Sequence, residues 1–212
     1  MAEIKQRVGL APAQQTAPLD PKTQMEGLET RIAILVEEQR HRLDAAARPL
    51  AIDPELSRVA RKKAEDMAAK NYLAHAAPDG ATAADLLMAD NDQFQGLLGE
   101  NLAAQHYTMQ SGVAVNEFAG RFLKTWMESK PHRDNLAFAD YNRTGVGAAV
   151  NGDTVYVVQL FSTDMGLGAR QTADPPGKVT SFDSPTAAKE TPLPLDPARL
   201  RGTIRGQGAQ PR

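Results

Sequence analysis

Four histidines and a set of carboxylates must carry any acid–base or metal chemistry here, because the 212 residues include no cysteine. That excludes disulfides, thiolate nucleophiles and Cys-ligated zinc. Two histidines, His75 in "HAAPDG" and His132 in "KPHRDNL", close helical patterns beside Pro- or Gly-shaped turns. Functional groups on rigid scaffolds are disproportionately placed at such points. Glu100 in "GENLA" is of the same kind. Gly99 lets the backbone approach closely, and Asn101 can bond the backbone and fix a turn. Neutral imidazoles and a carboxylate are the donors of open zinc sites and of acid–base pairs. Their separations, 25 and 32 residues, match no short metal motif such as H-E-x-x-H, so spacing leaves open whether the three meet.

The other candidates read as structural. His41 lies among charged residues on the outer face of a helix, and His106 sits beside Tyr107 in a short strand. No G-x-S-x-G elbow occurs, and the glycines flanking Val146 lie in a strand rather than a phosphate loop. Ser129 and His132 are one turn apart, but Pro131 intervenes and no third group is identifiable. Arg133 and Asn135 read as fixing that turn.

These residues need elements to hold them. Leu28, Ile32, Leu35 and Val36 recur at helical spacing. "DPEL" opens a second helix, with Asp53 as N-cap and Pro54 at the first position, an apolar face of Leu56, Val59, Ala60, Ala64, Met67 and Ala68, and an end near Tyr72. Thr82 with Asp85 starts a short third helix. "LLGENLAAQHY" comes next, a glycine turn leading into a short strand. Val115, Phe118, Phe122 and Trp126 form one buried stripe of a fourth helix, which Pro131 ends or bends. Val146, Ala148 and Val150 alternate toward an Asn-Gly turn, and Val155 to Phe161 return as a hairpin. Helices first and strands mostly last indicate α+β, with helices packed on a small antiparallel sheet.

Composition bounds the partners. Twenty-four basic against 26 acidic residues give a net charge of -2, which argues against a general nucleic-acid or acidic-membrane binder. Residues 1–22 read as a flexible leader without an apolar signal-peptide core, and "IAILV" is too short to span a bilayer. Residues 166–212 hold seven of the 14 prolines and read as a mildly basic extended tail, either an inert linker or a docking segment. The domain between them covers 23–165.

The runs "RPLAIDPELSRVARKKAEDMAAKNYLAHAAPDG", "GENLA", "FLKTWMESKPHRDNL", "YNRTGVGAAV" and "VYVVQLFS" together resemble a bacterial member of the CAP superfamily (SCP-like), over about residues 28–163. The resemblance implies an α-β-α sandwich with a large open cleft. In eukaryotic members two histidines and two glutamates face each other in that cleft, and the histidines can hold zinc or another divalent metal. Carried over, these fall on His75, Glu100 and His132; the second glutamate position, three residues after Trp126, is Ser129. One carboxylate fewer weakens any mechanism that needs an acid–base pair.

Physically, two neutral imidazoles with an optional carboxylate suit an open metal position, lost as histidines protonate below about pH 6. An equally consistent arrangement has no metal, with Glu100 accepting hydrogen bonds that brace the cleft. The leading expectation is an extracytoplasmic, non-enzymatic binding module whose cleft, lined by His75, Glu100, Asn101, Ser129 and His132, takes a divalent metal or a small apolar, lipid or envelope ligand. Two alternatives stand beside it: a zinc-dependent hydrolase of peptide or wall polymer with Glu100 as general base, and a partner-binding component docked through 166–212.

Overall fold

A computed structural model describes residues 20–163 and 180–181. The leader expected over 1–22 and the tail expected over 166–212 lie outside the described residues, except at 20–22 and 180–181. A 3-10 turn, Pro21–Gln24, leads into α1 (Met25–Leu43). There follow β1 (Ala51–Ile52), α2 (Pro54–Lys70), α3 (Ala83–Asp90), β2 (Leu97–His106), α4 (Val115–Glu128), α5 (Lys130–Ala137), β3 (Arg143–Asn151), β4 (Thr154–Ser162) and β5 (Thr180–Ser181).

Local signals set several of these boundaries. The Asp53 carboxylate accepts from the amides of Glu55 at 2.8 Å and Leu56 at 3.1 Å, satisfying donors that the first turn of α2 leaves free. α2 ends where Asn71 takes left-handed geometry at φ 55°, and that turn sends the chain into the loop bearing His75. Thr82 and Asp85 form the expected reciprocal cap of α3.

The strands are ordered β1-β3-β4-β2-β5. The central three pair antiparallel, with Glu100 opposite Leu160 and Val146 opposite Gln159. The two-residue edges pair parallel, β1 on β3 and β5 on β2, so the sheet is mixed rather than purely antiparallel.

Helices cover both faces. α2 and α3 pack over Leu98, Leu102, Ala104, Tyr156, Val158 and Leu160. α1, α4 and α5 pack over Ala103, Val146, Ala148, Val155, Val157 and Phe161. This is the α-β-α sandwich of an α+β fold. α2 lies so close to β3 that a Cβ on Gly147 would overlap the backbone of Ala60 and Arg61. Phe118, Phe122 and Trp126 are the buried stripe of α4, each 3% exposed or less.

Two expectations change. "LLGENLAAQHY" holds no glycine turn before a short strand but the whole ten-residue β2, so Glu100 and Asn101 sit within a strand. Their polar side chains interrupt the apolar pattern, while the backbone still pairs with β4 through Leu160 and Gln159. Nor does Pro131 end α4. The break is at Ser129, which is extended at φ -97° and ψ 121°. α5 restarts at Lys130 with Pro131 in its first turn, where a missing amide costs nothing.

Among the described residues β2 borders β5 at Leu97 and Leu98, and side chains from α4 and α5 bond carbonyls further along β2. The carbonyls of Glu100, Leu102 and His106 accept from Asn135 Nδ2 at 3.0 Å, Trp126 Nε1 at 3.3 Å and Arg121 Nη2 at 3.2 Å. The buried Arg40 guanidinium donates to the carbonyls of Leu136, Phe138, Arg48 and Tyr141, which locks the chain between α5 and β3 onto α1.

Candidate functional site

Alternation along β2 puts Glu100 on the same face as Leu98, Leu102 and Ala104, the side covered by α2. The loop after α2 brings His75 there. His75 Nδ1 lies 2.5 Å from Glu100 Oε2, a hydrogen bond in which the ring N–H donates and the carboxylate oxygen accepts. The His75 side chain is 37% exposed and that of Glu100 11%, so the pair is open on the histidine side.

Asn101 faces the other way, toward α5. Its Nδ2 donates to the His132 carbonyl at 3.1 Å. Asn135 Nδ2, one turn further along α5, donates to the Glu100 carbonyl and to Asn101 Oδ1, both at 3.0 Å. The two asparagines therefore hold the start of α5 against the strand residue that carries the carboxylate. Arg133 Nη1 donates to the Met127 carbonyl at 2.7 Å, across the break. Both residues fix this corner as expected, and Asn135 also orders the site.

Burial, and then the nearby His75, lower the His132 pKa from 6.5 to about 4. His132 is thus a neutral imidazole at neutral pH. Two atoms of the cluster are buried without a hydrogen-bond partner: Glu100 Oε1 and His132 Nδ1. Such atoms are costly to leave unsatisfied.

Of the expected residues, His75 and Glu100 meet directly, and Asn101 ties His132 to the same strand position. Ser129 acts through its backbone: it breaks the helix, and its carbonyl accepts from the Arg133 amide at 2.9 Å. Its hydroxyl makes no capping bond to α5. Gly99 does allow a close approach, but of Tyr141: a Cβ there would overlap the Tyr141 hydroxyl.

Among the described residues no three His, Asp or Glu side chains are arranged to hold one ion together. The described donor set therefore does not fit a closed structural zinc centre, which takes four protein ligands. Two hollows of about 630 and 370 Å³ open elsewhere, along α1, α2 and β3. Neither includes His75, Glu100 or His132. The apolar lining, Ala33, Ile34, Leu50, Ile52 and Val146, belongs to the smaller hollow rather than to the histidines.

Sequence reading missed Lys63. It is 1% exposed on α2, and its Nζ donates to the Tyr72 hydroxyl at 3.0 Å. Its spacing from Leu56, Ala60 and Met67 on one helix stripe was the available signal.

Residues 39–161 match the family model described as "CAP: Cysteine-rich secretory protein family". The chain is 30% identical over 124 residues to the uncharacterized protein YkwD of Bacillus subtilis, covering 58% of this chain and 43% of that protein. An extracellular protein containing an SCP domain from Bacillus anthracis matches with a TM-score of 0.53 at 30% identity, over 70% of this chain and 45% of that one. An outer surface protein from Borrelia burgdorferi shares the fold with a TM-score of 0.54 at 21% identity, over 65% of this chain and 93% of that one. This chain spans less than half the length of the two Bacillus relatives. With the family model covering more than half of its residues, the chain belongs to the CAP (cysteine-rich secretory protein) family.

Proposed function

We propose that this chain is an extracytoplasmic, non-enzymatic binding module, whose His75–Glu100–His132 cluster takes a divalent ion and presents it to a small outside ligand. The observation that carries this reading is the pair of unsatisfied buried atoms, Glu100 Oε1 and His132 Nδ1, at one corner of the fold. His75 and His132 would be the protein ligands. Glu100 holds His75 by Nδ1, which fixes the ring, so that Nε2 would be the atom to meet the ion. A bound divalent ion supplies a Lewis acid to which a carboxylate, phosphate or carbonyl group of the ligand coordinates. Likeness to a protein described as extracellular supports the location. Among the described residues no helix is long and apolar enough to cross a membrane.

Calorimetric titration with zinc tests this. Wild type should show one saturable site, and the His75→Ala/His132→Ala variant none. Identical isotherms would remove the metal from the account.

The unsatisfied Glu100 oxygen favours a second reading, hydrolysis, in which Glu100 takes a proton from the attacking water. Zinc-dependent turnover of peptide or wall polymer that disappears in Glu100→Gln would establish it; its absence leaves the binding module.

A further inference from the structure

Lys63 stands where the pattern of α2 calls for an apolar side chain. It shares the sheet-facing stripe with Leu56, Ala60 and Met67, and it is buried as deeply as they are. An ammonium ion in that position loses its hydration, which only well-placed partners offset. One partner is Tyr72: Nζ donates to its hydroxyl and lies 5.0 Å from the ring centre. The Tyr72 hydroxyl in turn donates to Asp66 Oδ2 at 2.6 Å. That uses one of the three N–H groups of the ammonium.

The other partner is electrostatic. Burial pushes Lys63 toward the neutral form, and the strongest opposing attraction comes from Glu100, ahead of Asp66 and Asp79. The geometry agrees, since alternation along β2 turns the Glu100 side chain to the face that α2 covers. Tyr72, moreover, is three residues before His75 and opens its loop. Four residues after His75, Asp79 is reached by Lys70, whose Nζ lies 2.7 Å from Asp66 Oδ1 and 3.5 Å from Asp79 Oδ2. The chain of charges thus holds both ends of the His75 loop and the carboxylate that receives it.

We propose that Lys63 is the positioning residue of the cluster: from within α2 it draws in the Glu100 carboxylate and, through Tyr72, the loop that brings His75 to it. Only the ion-binding consequence rests on the binding reading; the hydrogen bond between His75 and Glu100 does not. The test therefore starts with metal-free protein. In the proton–nitrogen NMR spectrum the His75 Nδ1–H should give a downfield, exchange-protected signal, identified by its loss in His75→Ala. In Lys63→Met, which keeps the length without the charge, that signal should broaden away or move upfield, while the Trp126 indole signal stays in place. Zinc affinity should then fall about tenfold or more, as for other residues that orient metal ligands.

Tyr72→Phe, which removes the hydroxyl but keeps the ring, should shift the His75 signal in the same direction, and decides the matter alone if Lys63→Met does not fold. An unchanged His75 signal in the folded variant would reduce Lys63 to a fold-stabilising role. If wild type takes no zinc, the binding reading fails, yet the metal-free signal still decides Lys63.

Discussion

Because burial brings the His132 pKa down to about 4, its ring stays neutral well into the acid range. The unfolded chain binds that proton near the ordinary value of 6.5 and the folded chain does not. Stability must therefore fall as pH drops from 6.5 toward 4. At pH 4.5 the loss attributable to this residue is on the order of 2 kcal/mol relative to pH 7. Urea unfolding at the two pH values should show it, and His132→Ala should remove that part of the slope; an unchanged slope would mean that the ring is not buried neutral. The expectation of metal loss below about pH 6 holds for an ordinary imidazole, and His132 keeps its lone pair below that. His75, Glu100 and His132 were legible as a set only through family resemblance, because 25 and 32 residues of intervening chain hide their meeting. Lys63 was missed for a physical reason: lysine is ordinarily solvated, so it was left out of an apolar stripe whose spacing it fits.

At the scale of elements, capping chemistry was read correctly from local residues, since Asp53 and the Thr82–Asp85 pair act within one turn of themselves. The length of β2 was not, because Glu100 and Asn101 look like turn residues until their partners on α5 and the His75 loop are known. The helix break was misplaced by two residues, since proline tolerates a helix's first turn as well as it opposes its interior. The closeness of α2 and β3 makes a sharp prediction. A methyl group at residue 147 has backbone, not a flexible side chain, in its way. Gly147→Ala should thus cost about 3 kcal/mol in denaturant unfolding. A loss under about 0.5 kcal/mol would show that α2 can slide on the sheet.

For the molecule as a whole, both cores draw their described residues from within 25–161. Removing residues 164–212 takes away β5 with its two parallel pairs on β2 and leaves these described core residues in place, so the melting temperature should shift by no more than about 5 °C; collapse of the fold would assign the tail a share in the core. The same layout explains how three distant residues converge. The loop after α2 brings His75 onto Glu100 from one face of the sheet, and α5, tied to β2 by Asn101, carries His132 on the other. X-ray absorption at the zinc edge of the loaded full chain tests that convergence most directly. Two imidazole nitrogens at about 2.0–2.1 Å with light oxygen ligands are the expected shell. A shell of oxygens alone, or one unchanged in His75→Ala/His132→Ala, would contradict it.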